Sequence, residues 1–387
     1  MKIQALSVLA TATLLTACGG SSSSSSTSGG GNNGLCAELA SNASNCSALL
    51  VTAKAQQAGR IQAFETAAKT LNQNTAAFCS AIGQAGEGAA LALAKTSLTA
   101  AASAWQALEP MQFGPVTESA RNNFYSWPLS VGKGGQIDNE IALVANGGAF
   151  NPTPSKRGLT AVEYVLYNNP NGANRCDYAQ KVTARMVPEA EALTAASAAY
   201  NPAQSSNQQA EVQSVFNALF YLDTDTKSAK MQKEILPEGQ NDSFAADKLE
   251  YAYADLNRAA VAANLESGLA IFTGEDSVGF EELLIASNQA ALASRMKAAL
   301  ELAVNASQDS EFSQGWRAIL TDANSNNKSS NVSACLNVTA TTTAANSNIE
   351  KLCSLPKKIQ PFTADLKNPM SIALSLSVPG GAAADGD

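Results

Sequence analysis

Apolar residues recur along this chain every three or four positions, the spacing of one face of an α-helix. Ile61, Phe64, Ala68, Leu71 and Phe78 fall on one such face. Leu91, Leu98, Trp105 and Leu108 fall on the next. Val212, Val215, Phe216, Leu219 and Leu222 make a third stripe, and Leu249, Tyr253, Leu256 and Ala260 a fourth. A further helix is predicted over 289–305. Alanines lie between the large residues and let helices approach closely. The strict alternation of a half-buried strand is scarce. The pattern therefore predicts an all-α fold.

Helix breaks are legible in the same way. Pro110, Gly114 and Pro115 end the helix carrying Trp105. Glycine-rich stretches at 132–135 and 147–154 read as loops, and Asn169-Pro170-Asn171-Gly172 as a turn. Asn201-Pro202 opens the best linker, and Leu236-Pro237-Glu238-Gly239 opens another long loop. The polar stretch 324–343 reads as a surface excursion, and the tail after Pro369 is rich in Gly and Ala. A faint internal echo lays 161–167 over 279–285, each read as a short amphipathic helix with a Glu near its start. Two helical-bundle halves, 35–202 and 203–387, follow as the expected organisation.

The N-terminus reads as a targeting segment. Lys2 precedes an apolar run from Ala5 to Leu15 that is too short to span a bilayer. Leu15-Thr16-Ala17-Cys18 has the form of a bacterial lipobox, so residues 1–17 read as a lipoprotein signal peptide and Cys18 as the lipidated residue. Residues 18–34 are nearly all Ser, Gly and Asn and read as a flexible leash. Gly19 rather than Asp favours the outer membrane. The expected location is thus the cell envelope, with the lipid as the membrane contact.

Composition narrows the chemistry. The 387 residues contain no histidine. A Ser-His-Asp or Cys-His pair is thereby excluded, as is an HExxH zinc site. The net charge of −8 comes with no basic run, which argues against nucleic acid. Six cysteines remain beside Cys18: Cys36, Cys46, Cys79, Cys176, Cys335 and Cys353. In an oxidising compartment three disulfides are expected, and fifteen pairings are open. The economical set joins Cys36 to Cys46, Cys335 to Cys353, and Cys79 to Cys176.

Three stretches carry a resemblance. The first runs from Trp105 to Pro115, followed by Arg121 and by Phe124-Tyr125-Ser126-Trp127-Pro128. The second is Arg157-Gly158-Leu159-Thr160-Ala161-Val162-Glu163-Tyr164. The third is Phe272-Thr273-Gly274 leading into Gly279-Phe280-Glu281-Glu282-Leu283-Leu284. In order and spacing they resemble the imelysin-like family, and the ending Asp385-Gly386-Asp387 is similar to family C-termini. The resemblance implies two helical bundles with a site where they meet, and a bacterial surface or periplasmic protein linked to iron uptake. Some members are regarded as metallopeptidases, with the His and Glu of a GxHxxE signature as metal ligands. Gly158 and Glu163 match that signature, but Thr160 stands where the His would be.

A hydroxyl does not replace an imidazole for Zn²⁺ or Fe²⁺. A bound metal ion (iron, zinc or calcium) is accordingly disfavoured, and Glu163 is at best its ligand. Thr160 to Glu163 also reads as a capping box. Arg121 and Arg157 are candidates to bind an anion or Glu163, or to fix the fold as salt bridges. Trp105 is a core anchor or a ligand stacker, and Glu281 is the counterpart of Glu163 in the internal echo. The expected function is non-catalytic binding of a small ligand or an envelope protein in an inter-bundle cleft. A peptidase with an altered metal site and a structural module of the envelope are the rivals.

Overall fold

A computed structural model describes residues 35–36, 43–125, 133–237, 239, 242–308, 312–341 and 346–381. Cys18, the signal segment, the leash, Trp127 and the C-terminal Asp-Gly-Asp lie outside the described residues. No strand occurs among the described residues, and the fold is all-α.

The first layer is built on α1 (Ala43–Ala81), a helix of 39 residues and about 58 Å at 1.5 Å per residue. The stripe from Ile61 to Phe78 is wholly buried. A short turn at 82–86 reverses the chain into α2 (Glu87–Leu108). Asn74 meets Ser97 at 2.5 Å, and Gln57 donates to the carbonyl of Phe113 at 2.8 Å. Falling numbers on α1 thus meet rising numbers beyond α2, so the pair is antiparallel.

Next come α3 (Glu118–Phe124), α4 (Lys133–Ala145), α5 (Leu159–Tyr167) and α6 (Ala173–Ala199). α6 also runs against α1: Cys79 is bonded to Cys176, Thr183 donates to Asn72 at 3.0 Å, and Lys69 pairs with Glu191 at 2.8 Å. Phe64, Trp105 and Phe124 meet at the centre with ring centroids 4.9–5.3 Å apart, tilted and edge-on as aromatic quadrupoles prefer.

The chain continues into α7 (Gln208–Leu219). After Phe220 the helix widens into a π-helical segment, Leu222–Gln232, followed by the short α8 (Lys233–Ile235). α9 (Asn257–Thr273), α10 (Phe280–Ala286), α11 (Ala290–Ser307), α12 (Trp316–Ser325), α13 (Lys328–Leu336) and α14 (Asn348–Asp365) complete the bundle. A π-helical turn at Leu366–Met370 and the three-residue α15 (Ser371–Ala373) close it. α9 packs on α2.

Several expectations need correction. The fourth stripe is not one helix: Leu249 to Leu256 is a loop, and α9 starts only at Asn257. Tyr251 and Asp255 stand at φ of +50° and +55°, which interrupts any helix there. α5 is not amphipathic, because Leu159 to Leu166 are all buried.

The disulfides are Cys36–Cys46, Cys79–Cys176 and Cys335–Cys353. The second spans 97 residues of sequence and pins the end of α1 to the start of α6. Cross-links that close long loops restrict the unfolded chain most. Cys79→Ala with Cys176→Ala is expected to lower stability by about 2–4 kcal/mol. A matching fall in the urea midpoint, absent when the parent is measured reduced, checks it.

Candidate functional site

Gln106 and Glu109 lie three residues apart on the final turn of α2 and project from one face. Glu109 is the C-cap and sits beside the negative end of the helix dipole. Its charge therefore needs cations, and two are supplied. Arg121 Nε of α3 reaches one carboxylate oxygen at 2.8 Å, and Lys230 Nζ reaches the other at 3.0 Å.

Lys230 comes from the π-helical segment. The wider turn there places Asp223, Thr226, Lys227 and Lys230 all in the interior. Lys230 Nζ has four oxygen neighbours: Gln106 Oε1 at 2.6 Å, Asn264 Oδ1 at 2.8 Å, Glu109 at 3.0 Å and Glu250 at 3.2 Å. The Tyr125 hydroxyl donates to Glu250, as does Gln106 Nε2 at 2.9 Å. A second buried cluster lies on the same segment, where Asp223 meets Lys227 at 2.6 Å and Lys367 at 2.9 Å.

The loop at 242–256 supplies the other side. Asn324 accepts from the Phe244 amide at 2.9 Å and donates to its carbonyl at 2.8 Å, and Arg317 donates to the Ala252 carbonyl at 3.1 Å. Tyr251 is bulky and buried in the left-handed region, a strained backbone that such anchors hold in place.

Glu163 of α5 faces that loop. Its Oε1 accepts the backbone N–H of Tyr253 at 2.9 Å and of Ala254 at 2.8 Å. This corrects the capping-box reading of Thr160 and Glu163. The N-cap of α5 is Gly158, and the Glu163 carboxyl is spent on a distant loop instead. Thr160 is buried within the first turn.

The carboxyl groups differ by environment. Burial raises Glu109, but the Lys230 and Arg121 charges outweigh it and hold the group below the usual carboxylate range. Burial, with the repulsion of Glu109, leaves Glu250 raised despite Lys230. Burial pushes Glu163 up to about 8 against the two backbone amides. Burial and the nearby Glu250 push Glu234 to about 9. Glu109 thus carries the fixed negative charge, while Glu163 and Glu234 are protonated at neutral pH.

The residues singled out from the sequence separate into groups. Arg121 joins the network, pairing also with Asp225 at 3.3 Å. Trp105 lies in the aromatic core, one residue from Gln106. Arg157 donates to the Asn122 carbonyl at 3.2 Å and to Asn123 at 3.0 Å, fastening α3 to the start of α5. Glu281 meets Lys297 of α11 at 3.2 Å, outside the network. Gln106, Glu109, Tyr125, Lys230, Glu234, Glu250 and Asn264 were not anticipated.

Gly158 has φ of +82°, and a Cβ there would stand 2.4 Å from the Phe124 carbonyl oxygen. This contact sets Tyr125 against Glu250. Gly158→Ala is expected to cost about 2–3 kcal/mol through backbone strain and the clash. Chemical denaturation of the variant beside Arg157→Ala, which loses only side-chain bonds and should fall less, checks it.

A metal ion does not fit these residues. One oxygen of Glu163 is held by two amides, and an ammonium occupies the middle of the remaining oxygens. Among the described residues no group of three or more His, Cys, Asp or Glu is arranged to hold a metal. The network reaches the surface through Tyr221 and Asp225. They line a cavity of about 320 Å³ with Gln112, Asn217, Phe220 and Thr224.

Comparison with known proteins places this architecture. No curated protein matches the chain. An imelysin-like protein from Psychrobacter arcticum 273-4 shares the fold, with a TM-score of 0.66 and 18% identity over 87% of this chain and 98% of the other. A protein from Parabacteroides distasonis ATCC 8503, described as an iron-regulated protein A precursor, gives a TM-score of 0.57 and 16% identity. That match covers 82% of this chain and 95% of the other. The peptidase M75 family model, imelysin, matches residues 58–347. With well over half of its length matched, the chain belongs to the imelysin family.

Proposed function

We propose that this protein is a lipid-anchored, non-catalytic binding protein of the bacterial envelope that serves iron uptake. It holds a small ligand or a partner segment in the cavity beside Tyr221 and Asp225. The observation that carries the reading is the internal engagement of Glu109 and Lys230 next to an open cavity. Glu109 binds two cations and Lys230 four oxygens, so neither is left as a base or nucleophile. The cavity is of ligand size and mixes the aromatic faces of Phe220 and Tyr221 with the polar ends of Asn217, Thr224 and Asp225. The lipobox at Cys18 supports the envelope location, and no described helix is long and apolar enough to cross a membrane. The iron-regulated precursor from Parabacteroides distasonis supports the link to iron.

The test is complementation of a deletion strain under iron limitation. Wild-type protein should restore growth, whereas Thr224→Trp, which fills the cavity, should not while remaining folded and abundant. Cys18→Ala should shift the protein from the membrane to the soluble fraction. Full rescue by Thr224→Trp would remove the cavity from the function. Casein hydrolysis by purified protein lost in that variant would favour the peptidase reading.

A further inference from the structure

The surroundings of Lys230 resemble a ligand site more than an ion pair. Its Nζ has Gln106 Oε1, Asn264 Oδ1 and the carboxylates of Glu109 and Glu250 at 2.6–3.2 Å. The Tyr125 and Tyr221 ring centroids lie 5.6 Å away on two further sides. Oxygen acceptors together with aromatic faces within about 6 Å are how proteins recognise ammonium groups. The groups come from α2, the residue after α3, the 242–256 loop and α9, with Tyr221 just before the π-helical segment that carries Lys230 itself. Four other elements therefore meet at one side chain.

We propose that this centre is an ammonium-binding cage whose cation is supplied by the chain itself, as Lys230. The nitrogen–oxygen separations of 2.6–3.2 Å are those of hydrogen bonds donated by the ammonium. Two amide oxygens and two carboxylates also match a group that donates hydrogen bonds. A buried ammonium needs acceptors for its three N–H groups, and this one has four oxygens and two aromatic rings around it. The tethered cation then does in this chain what a bound ion would do, joining the two halves across α2 and α9. The inference is independent of the proposed function, because the cage can be filled or emptied whether or not the surface cavity binds anything.

Lys230→Ala empties the cage while leaving its walls. Its melting temperature is expected to fall by about 5–10 °C. Added ethylammonium should recover on the order of half of that loss in a saturable manner. Ca²⁺, Zn²⁺ and Fe²⁺ should recover none of it. Ethylammonium should not move the parent, nor Lys230→Ala combined with Glu109→Gln and Glu250→Gln. Should Lys230→Ala be unfolded alone, refolding with ethylammonium followed by circular dichroism reads the same point. Helicity that returns with the amine supports the cage, and no return overturns it. A divalent ion that rescues Lys230→Ala, or stabilises the parent in a Glu109-dependent way, would also overturn the proposal and make the centre a metal site.

Discussion

Glu109→Ala is expected to lower the stability of the protein by about 3–5 kcal/mol, the usual cost of removing one partner from a buried charge network. The carboxylate holds Arg121 and Lys230 at once, and its side chain is fully buried. Removing it leaves two desolvated cations facing each other, with Glu250 and Asp225 as the remaining anions. Arg121→Ala should cost less, because the Arg121 side chain is 22% exposed and water enters to replace it. A ranking in which Arg121→Ala destabilises as much as Glu109→Ala would mean that the network is not centred on Glu109. The pH dependence separates charge from packing. The folded pKa of Glu109 is depressed. It therefore contributes stability above the unfolded carboxyl value near 4.3 and loses it as pH falls through the folded value. Glu109→Gln keeps the volume and should flatten the acid limb of the stability curve. It should also lower the pKa of Glu250, which no longer meets a neighbouring negative charge.

How much of this was readable in the chain differs between fold and site. The stripes on α1 and α2 were legible because the large residues return to the same face, all of them buried except the half-buried Leu91. The error at 249–256 has a physical cause. Leu249, Tyr253, Leu256 and Ala260 follow helical spacing, but the backbone between Leu249 and Leu256 turns through positive φ at Tyr251 and Asp255 to deliver Glu250 and two amides. Not every proline ends a helix. Pro188 lies inside α6, and Pro356 and Pro361 lie inside α14, where tertiary packing outweighs the lost hydrogen bonds.

The site was half legible for a related reason. Arg121 and Glu163 were found because they lie in recognisable motifs. Lys230 and Glu250 were not, since a lone Lys or Glu after an apolar stripe normally faces water. The available signal was local density: Asp223, Asp225, Lys227 and Lys230 crowd one segment directly after the stripe ending at Leu222. An α-helix cannot bury Asp223, Lys227 and Lys230 together as easily as the wider π-helix does, and the apolar spacing carries no mark of a π-helix. The internal echo also divides by environment. α5 and α10 both begin at a glycine packed against backbone, yet Glu163 is buried at the centre and Glu281 pairs with a lysine towards the surface.

The protonated state of Glu163 leads to the second large effect. Its folded value of about 8 lies well above that of the unfolded chain, so the native state binds the extra proton. The sign follows from linkage: this contribution is fully present below pH 4.3 or so and is lost as pH rises through 8. Glu234, at about 9, loses its contribution over an overlapping range. Glu163→Gln retains an oxygen for the Tyr253 and Ala254 amides and a donor in place of the carboxyl proton, and it cannot ionise. The variant should match the parent near pH 5 and exceed it at pH 9, by up to about 5 kcal/mol for a shift of this size. Melting temperatures from pH 5 to 9 read the crossover directly. Glu163→Gln with Glu234→Gln should flatten the alkaline limb further. If the parent instead gains stability towards pH 9 and Glu163→Gln loses it, Glu163 is an ionised anchor. The loop carrying Glu250 would then be held by charge rather than by a neutral hydrogen bond. The neutral form has a direct consequence for the family signature. A carboxyl that keeps its proton at pH 7 and presents one oxygen to two amides is poorly suited to binding a cation. In this chain the signature glutamate thus works as a clamp on the 242–256 loop, and the cationic role at the centre falls to Lys230.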